Sequence, residues 1–164
     1  MRLKSKIWLG IDPGIARTGY AILKESNKQS LEPIDYGCLT TPKAHSIHKR
    51  LFDLYSGLKK IIQNFKPTHL AIEKLFFSKN VKTALTVGQA RGVILLAAEE
   101  AGLKISEFTP YEIKQAICGY GHADKKQIQH MVTKLLNLKS VPRPDDTADA
   151  LAIAMCGSQT KIYS

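Results

Sequence analysis

The apolar residues near the N-terminus fall into three short runs that are separated by polar residues and turn signals such as Pro13-Gly14. Runs of this length predict three strands, at residues 6–12, 18–24 and 34–40. Because only short polar loops separate them, the three strands are expected to form an antiparallel meander.

From Pro42 onward the apolar residues recur at three- and four-residue steps, which is the period of an amphipathic helix. This helix is expected to end at Phe65, before Lys66-Pro67. Apolar runs and periodic segments then alternate, and they predict strands at 68–74 and 104–109 and helices at 80–101, 110–118, 124–136 and 145–157. The order β-β-β-α-β-α-β-α-α-α indicates an α/β fold with a mixed five-stranded sheet, antiparallel first and parallel later, flanked by helices.

Two of the predicted helices begin at aspartate residues. Asp124 is followed three residues later by Gln127, which is the pattern of a capping box. Asp145 is expected to be the N-cap of the last helix.

The length and composition are those of one globular domain, which we expect to span residues 1–164, because 44% of the residues are hydrophobic and 23% are charged. The N-terminal segment MRLKSKIWLGID reaches Asp12 after an apolar stretch shorter than the roughly 7–15 residues of a secretion signal. No apolar stretch is long enough to span a bilayer. Cys38, Cys118 and Cys156 are odd in number and lack a CxxC pair, so they are expected to be buried thiols in a reducing compartment. These features together favour a cytoplasmic protein.

The chain is strongly basic, with 24 Lys and Arg residues against 14 acids, a net charge of +10. Charge of this sign favours a polyanionic partner such as nucleic acid, because lysine and arginine neutralise phosphates and release counterions. Ribosomal proteins, membrane-surface proteins and nucleases share this property, and so does a merely solvated lysine-rich surface.

Four acids lie at the ends of predicted buried elements. Asp12 ends the first strand and Glu73 the fourth, while Asp146 and Asp149 share one face of the last helix. Ligands of α/β sheets bind outside the carboxyl ends of strands. If the first and fourth strands are neighbours, the last helix can bring its two acids to the same place.

Each of these acids alone has a structural explanation. Asp12 can cap the following turn, Glu73 can pair with a lysine, and Asp146 can complement the helix dipole. Asp149 is harder to explain, because its surroundings are apolar and a buried unpaired carboxylate is costly.

Together, the four acids are better explained by a bound cation, because crowded carboxylates raise one another's pKa unless a metal neutralises them. Ligation by oxygen alone indicates Mg²⁺ or Mn²⁺ and not zinc. In a basic protein this favours two-metal phosphodiester hydrolysis, with ions about 3.5–4 Å apart.

Several segments, quoted in chain order, carry a family resemblance: GIDPGIARTGYAIL, LAIEKLFFSKN, LTVGQARGVIL, YEIKQAICGYGHADKKQIQHMV and DDTADALAIA. They resemble the bacterial RuvC Holliday-junction resolvases from Ile7 to about Ala154. The resemblance implies an RNase H-like fold and a Mg²⁺-dependent crossover junction endodeoxyribonuclease of recombination and repair. It further implies a homodimer that acts on four-way DNA junctions, with RuvA and RuvB as branch-migration partners. Family members often extend beyond the last helix, whereas this sequence ends at Ser164, and we expect the site to be unaffected.

The resemblance also assigns residues. The metal-binding acids of the family fall on the four acids above: Asp12, Glu73, Asp146 and Asp149. Its two important lysines fall on Lys114 and Lys125, and its junction-inserting aromatic falls on Phe76. Lys125 lies in the first turn of its helix, where backbone N–H groups also face anions. Without the motif, both lysines would be interpreted as ordinary surface residues.

Phe76 and Phe77 follow Glu73 in a basic loop. An exposed aromatic there can stack on unpaired bases, a contact worth about 1–3 kcal/mol. Phe76 is expected to be exposed and Phe77 to be packed.

A four-way junction has two-fold symmetry, which a C2 dimer with two identical sites would match. The helix LTVGQARGVILLAA carries Gly88, Ala90 and Gly92, small residues that permit close helix approach, and it is our candidate for the interface. The alternative is that this helix packs on the protein's own sheet. Arg91 is expected to pair across the interface or to bind DNA.

Two other functions are consistent with the residues. The chain could be a different RNase H-like nuclease, acting on RNA or RNA–DNA hybrids. It could also be a non-catalytic nucleic-acid-binding module, in which the acids are caps and ion-pair partners.

Overall fold

The structure is a computed structural model, and it describes residues 5–26, 30–76 and 81–160. In this part of the chain, five strands form one sheet in the order β3-β2-β1-β4-β5. Their bounds are Ile7–Asp12 for β1, Arg17–Glu25 for β2, Leu31–Thr40 for β3, His69–Glu73 for β4 and Lys104–Phe108 for β5. The β1–β2 and β2–β3 pairs are antiparallel, whereas β1–β4 and β4–β5 are parallel. The predicted mixed sheet is therefore confirmed.

The helices follow in the predicted order. Their bounds are Ile47–Phe65 for α1, Val81–Glu100 for α2, Pro110–Cys118 for α3, Lys125–Leu135 for α4 and Asp145–Gln159 for α5. Helix α1 begins later than the expected Pro42, because the backbone of Ser46 is still extended and serves as its N-cap. Among the described residues, no helix is both long and apolar enough for a bilayer crossing.

One predicted helix start is confirmed and another is wrong. Asp124 and Gln127 form the capping box of α4, in which the side chain of each residue accepts a hydrogen bond from the backbone N–H of the other. Asp145 is not the N-cap of α5, because Pro144 occupies that position and Asp145 is already helical. The side chain of Asp145 is therefore available for other contacts.

The sheet separates two apolar layers. Helices α1 and α2 cover one face, where the core includes Leu9, Ile11, Leu54, Ile72 and Ile94. Helices α3, α4 and α5 cover the other face, where the core includes Trp8, Ala71, Ile113, Val132 and Leu151. The cysteines differ from expectation in part: all three are free thiols, but only Cys156 is buried, while Cys38 and Cys118 are partly exposed.

Helix α5 lies directly on β1 and β2, and two glycines make this approach possible. A Cβ atom built on Gly10 would lie 2.3 Å from the carbonyl oxygen of Ala150, and one on Gly19 would lie 1.9 Å from that of Asp146. Because both obstructing atoms belong to the helix backbone, a side chain at either position would push α5 away from the sheet. These glycines therefore set the depth at which the first turns of α5 lie.

Candidate active site

The alternation of side chains along the strands points two acids to the same face of the sheet. Leu9 and Ile11 face α1 and α2, so Asp12, one residue on, faces α5. The same alternation turns Glu73 toward α5, since Ile72 lies in the opposite core. Strands β1 and β4 are parallel neighbours with Ile11 paired to Ile72, and the two acids that follow this pair lie side by side.

Helix α5 brings the other two acids to the same place. Asp146 lies in its first turn, next to Gly19 of β2, and Asp149 follows on the same helix face. Both side chains are partly buried. The four predicted acids thus converge at the carboxyl ends of β1 and β4, where α5 begins.

The crowding of these acids perturbs their titration. Burial, together with the negative charges of Asp149, Glu73 and Asp146, raises the pKa of Asp12 to about 8, while Lys125 opposes the rise. Such a shift means that the metal-free site retains a proton at neutral pH because it cannot accommodate all of its negative charges.

The neighbouring acids shift in the same direction. Burial and the charge of Asp149 raise the pKa of Glu73, and the positive charge of Lys114 opposes this rise. Burial also raises the pKa of Asp149, against the lowering effect of Lys125. Two lysines therefore lie close enough to the cluster to influence its charge.

Two cations partly neutralise the cluster. Arg17 Nε lies 3.3 Å from Asp146 Oδ2, and Lys125 Nζ lies 3.3 Å from Asp149 Oδ2. As the side chains stand, no group of three acidic, histidine or cysteine residues in the described part of the chain could hold a metal ion. The acids converge, but two of them are engaged in ion pairs.

The donor set nonetheless fits a hard divalent cation. It consists of carboxylate oxygens at the end of a buried strand pair, and oxygen ligands suit Mg²⁺ and Mn²⁺. The pKa of Asp12, raised by burial and by the neighbouring carboxylates, is a second indication, because a bound cation would favour the ionised form of this carboxyl.

The carboxylate of Asp145 contacts three polar side chains that lie beside the cluster. Arg143 Nη1 lies 2.7 Å away, the buried Gln129 donates at 3.1 Å, and Lys125 Nζ lies at 3.4 Å. Lys125 thus bridges Asp145 and Asp149. Sequence reasoning missed this role because the donors come from α4 and from the preceding loop, and only the fold brings them to α5.

Lys114 lies on α3 and lines an open cavity of about 260 Å³ together with Glu73, Lys125 and Asp149. The apolar part of the cavity lining includes Ile113, Ala123, Ile128, Ala152 and Ile153. The two lysines that the family resemblance selected therefore border the same recess as two of the acids.

The remaining predicted residues divide into three cases. Phe76 is exposed, as expected, with 58% of its surface accessible. Phe77 lies outside the described residues. Arg91 has contacts that the sequence did not indicate: its side chain is only 16% exposed, it forms an ion pair with Glu107, and its Nε donates to the carbonyl oxygen of Glu73 at 3.3 Å.

Sequence reasoning also missed the residues that fix the loop after Asp12. The hydroxyl of Thr18 donates a hydrogen bond to the carbonyl oxygen of Gly14. Thr41, which follows β3, donates a hydrogen bond from its hydroxyl to the carbonyl oxygen of Ile15. Arg50 of α1 in turn donates to the hydroxyl of Thr41 at 2.9 Å. The loop that leads to Arg17 is therefore held from two sides.

Comparison with known proteins identifies relatives across nearly the whole chain. The family model of crossover junction endodeoxyribonuclease RuvC matches residues 8–157. The RuvC of Chloroflexus aurantiacus is 55% identical over 152 residues, which covers 93% of this chain and 92% of that protein. The RuvC of Desulfitobacterium hafniense is 52% identical over 148 residues, which covers 90% of this chain and 89% of that protein.

A solved structure agrees with the sequence matches. Thermus thermophilus RuvC in complex with Holliday junction substrate is similar with a TM-score of 0.86 and 33% identity, covering 92% of each chain. The fold is therefore RNase H-like, as the sequence motifs implied. Since the family model and the relatives span the strands and helices that carry all four acids, the chain belongs to the crossover junction endodeoxyribonuclease RuvC family, whose members are hydrolases acting on DNA with a divalent metal cofactor.

Proposed function

We propose that this protein is a Mg²⁺-dependent endonuclease that resolves four-way DNA junctions by paired, symmetric nicks during recombination and repair. The observation that carries the proposal is the convergence of Asp12, Glu73, Asp146 and Asp149 at the carboxyl ends of β1 and β4 in a chain of net charge +10. A ribosomal or membrane-surface protein has no need for an acidic cluster that is costly enough to raise the pKa of Asp12 to about 8.

The four acids would hold the metal ions, two per site during catalysis, with Mn²⁺ able to replace Mg²⁺. When bound, such ions supply the activation of water and the neutralisation of charge that phosphodiester hydrolysis requires. Arg17 and Lys125 have to release Asp146 and Asp149 before these carboxylates can serve as ligands. The mutual repulsion of the acids favours this exchange, because a divalent ion neutralises more charge than one ammonium or guanidinium group.

Lys114 and Lys125 would bind the phosphate at the cut. Both border the recess that contains Glu73 and Asp149, so a phosphodiester placed over the acids would lie within reach of both ammonium groups. Their positive charge would stabilise the extra negative charge of the transition state. We therefore assign them a larger share in cleavage than in junction affinity.

Phe76 would contact the bases at the branch point. It is an exposed aromatic three residues after Glu73, and unpaired bases stack on such rings without regard to sequence. Phe76 would thus favour a branched substrate over a continuous duplex, whose bases are already stacked.

The proposed homodimer would use the outer face of α2. Val81, Leu85 and Leu96 are exposed apolar residues on one stripe of this helix, and a Cβ atom added to Gly92 on the same stripe would meet nothing within 4 Å. Ala90 and Ile94 on the opposite side are buried in the protein's own core. Both of the roles that the sequence left open for this helix are then realised, on opposite faces.

Three further assignments are proposals that follow from the family. RuvA and RuvB would supply branch migration, the cytoplasm would be the compartment, and residues 1–164 would act as one nuclease domain. The free thiols of Cys38, Cys118 and Cys156 support a reducing compartment. The shared sheet, with helices packed on both faces, supports a single domain.

A substrate panel tests the proposed function. Synthetic four-way junction, linear duplex and RNA–DNA hybrid would each be incubated with the protein in Mg²⁺ or EDTA. We expect paired nicks at symmetric positions in the junction alone, dependent on Mg²⁺. Preferred cutting of the hybrid would indicate a different RNase H-like nuclease. Junction binding without metal-dependent cutting would indicate a non-catalytic binding module.

A further inference from the structure

Arg91 is a largely buried cation that contacts the backbone of one of the active-site strands. It lies on α2, and its guanidinium contacts β4 through the carbonyl oxygen of Glu73 and β5 through the carboxylate of Glu107. Only 16% of its side chain is exposed. A guanidinium so placed can hold two acceptors in fixed positions, because its donors form a rigid planar fork.

The two contacts lie at the ends of adjacent strands. Strands β4 and β5 pair in parallel, with Ile72 opposite Glu107 and Glu73 opposite Phe108. Arg91 therefore bridges the ends of this strand pair, one residue before the backbone hydrogen bond of 2.7 Å from Lys74 N–H to the carbonyl oxygen of Phe108. Without an external contact, a strand end of this kind is free to fray.

Arg91 and the acidic cluster lie on opposite faces of the sheet. The side chain of Glu73 points toward α5, while Arg91 reaches the backbone of the same residue from the α2 side. Arg91 thus contacts the backbone of the residue from which the Glu73 carboxylate projects on the other face. This geometry differs from that of a DNA contact, which would need the guanidinium exposed on the acidic face.

We propose that Arg91 is a positioning residue for Glu73, and that it links the position of this acid to α2, the helix assigned above to subunit contact. The inference rests on the proposed function, in which Glu73 holds a divalent ion. Ligands have to be held to within about 0.5 Å for productive geometry, so a small shift at the end of β4 is enough to weaken metal binding.

Three variants test this role. Arg91→Leu removes both contacts, Arg91→Lys keeps the charge but loses the planar fork, and Glu107→Gln removes the ion pair while retaining an acceptor. We expect Arg91→Leu to weaken Mn²⁺ binding, measured by calorimetry without DNA, by about tenfold or more, which is typical when a residue supporting a metal ligand is lost. In the same variant, the Mg²⁺ concentration for half-maximal cleavage should rise by a similar factor. Arg91→Lys and Glu107→Gln should give values between those of the wild type and Arg91→Leu.

Junction affinity in EDTA and the dimer mass should stay at wild-type values in all three variants. Intermediate effects in Arg91→Lys and Glu107→Gln keep the test decisive even if Arg91→Leu folds poorly. Unchanged Mn²⁺ affinity in all three, or loss of junction affinity with normal Mn²⁺ binding, would overturn the inference. If the wild-type protein itself neither bound Mn²⁺ nor cut the junction, the proposed function would fail instead.

Discussion

At the scale of single residues, Asp12 determines the electrostatic character of the site. It lies at the end of a buried strand and faces three further carboxylates, and its pKa rises to about 8 as a result. A carboxyl group that is buried among other carboxylates lowers the stability of the folded, metal-free protein. A bound cation would remove this cost, so the same repulsion that weakens the metal-free fold would strengthen metal binding.

The stability of the metal-free protein should therefore decrease with increasing pH. Between about pH 4 and pH 8, the folded state keeps a proton on Asp12 that the unfolded state has released, and stability falls wherever the folded state binds more protons. Replacing Asp12 with Asn removes this difference. In EDTA, melting temperatures should fall from about pH 5 to about pH 8 in the wild type and change less in Asp12→Asn. Parallel curves for the two proteins would contradict the raised pKa.

Lys114 and Lys125 should matter more for cleavage than for binding. Each borders the recess beside Glu73 and Asp149, so alanine at either position removes a positive charge from the place where negative charge develops. We expect single-turnover cleavage to fall about 100-fold, as when one transition-state donor is lost. Junction affinity should change little, and Lys126→Ala, an exposed lysine next to Lys125, provides the control. Equal losses of affinity and rate would make both lysines simple phosphate clamps.

Sequence reasoning at this scale predicted that the four acids would lie together, but it did not predict the contacts of two of their neighbours. The four acids could be found because strand ends and helix faces are local features of the pattern. Asp145 was assigned to the helix cap because its partners Arg143, Gln129 and Lys125 could not be known before α4 and α5 were packed together. The contacts of Arg91 with Glu73 and Glu107 could not be predicted for the same reason, since periodicity does not reveal which strand end a helix side chain reaches.

At the scale of elements, the close approach of α5 to the sheet assembles the site. This helix is apolar on almost every side and is buried between the sheet, α3 and α4. Only its first turns reach the open end of the sheet, and those turns carry Asp146 and Asp149. The sequence predicted this helix well, but the depth at which it packs depends on Gly10 and Gly19, whose importance appears only in three dimensions.

Replacing Gly19 with Ala should disturb both fold and site. The added methyl group would lie 1.9 Å from the carbonyl oxygen of Asp146, so the helix start has to move. We expect a loss of about 1–3 kcal/mol in the free energy of unfolding, the usual cost of overpacking, together with weaker Mn²⁺ binding. The wild-type protein is the reference for both measurements. A free energy of unfolding equal to the wild-type value would show that α5 adjusts without cost.

At the scale of the whole molecule, an acidic site lies within a basic protein, and the two features have separate tasks. The net charge of +10 would attract DNA to the protein, whereas the acids would act only where the backbone is cut. Lys125, Arg143 and Arg17 surround the cluster, so that phosphates can approach it despite its negative charge. A two-fold symmetric substrate would then require two such sites at a fixed separation.

The exposed apolar stripe of α2 should hold the subunits together. An aspartate at Leu85 or Leu96 would place a charge in the proposed interface, and each of these leucines is 64% exposed in the single subunit. We expect the mass in solution, measured by light scattering, to fall from dimer to monomer, and paired nicking to be lost. Leu135→Asp, at an exposed leucine on α4, should leave the dimer intact. A dimer that persisted in both α2 variants would exclude this interface.

The most direct test of the metal site is the position of Mn²⁺ in crystals of the protein, located by anomalous scattering at the manganese edge. We predict density between Asp12, Glu73, Asp146 and Asp149, with oxygen ligands at about 2 Å. Arg17 and Lys125 should have moved away from the acids with which they pair in the metal-free protein. If these carboxylates bound no manganese at saturating concentration, or if the ion bound elsewhere on the chain, the four acids would not be the metal ligands and the proposed hydrolysis would lose its basis.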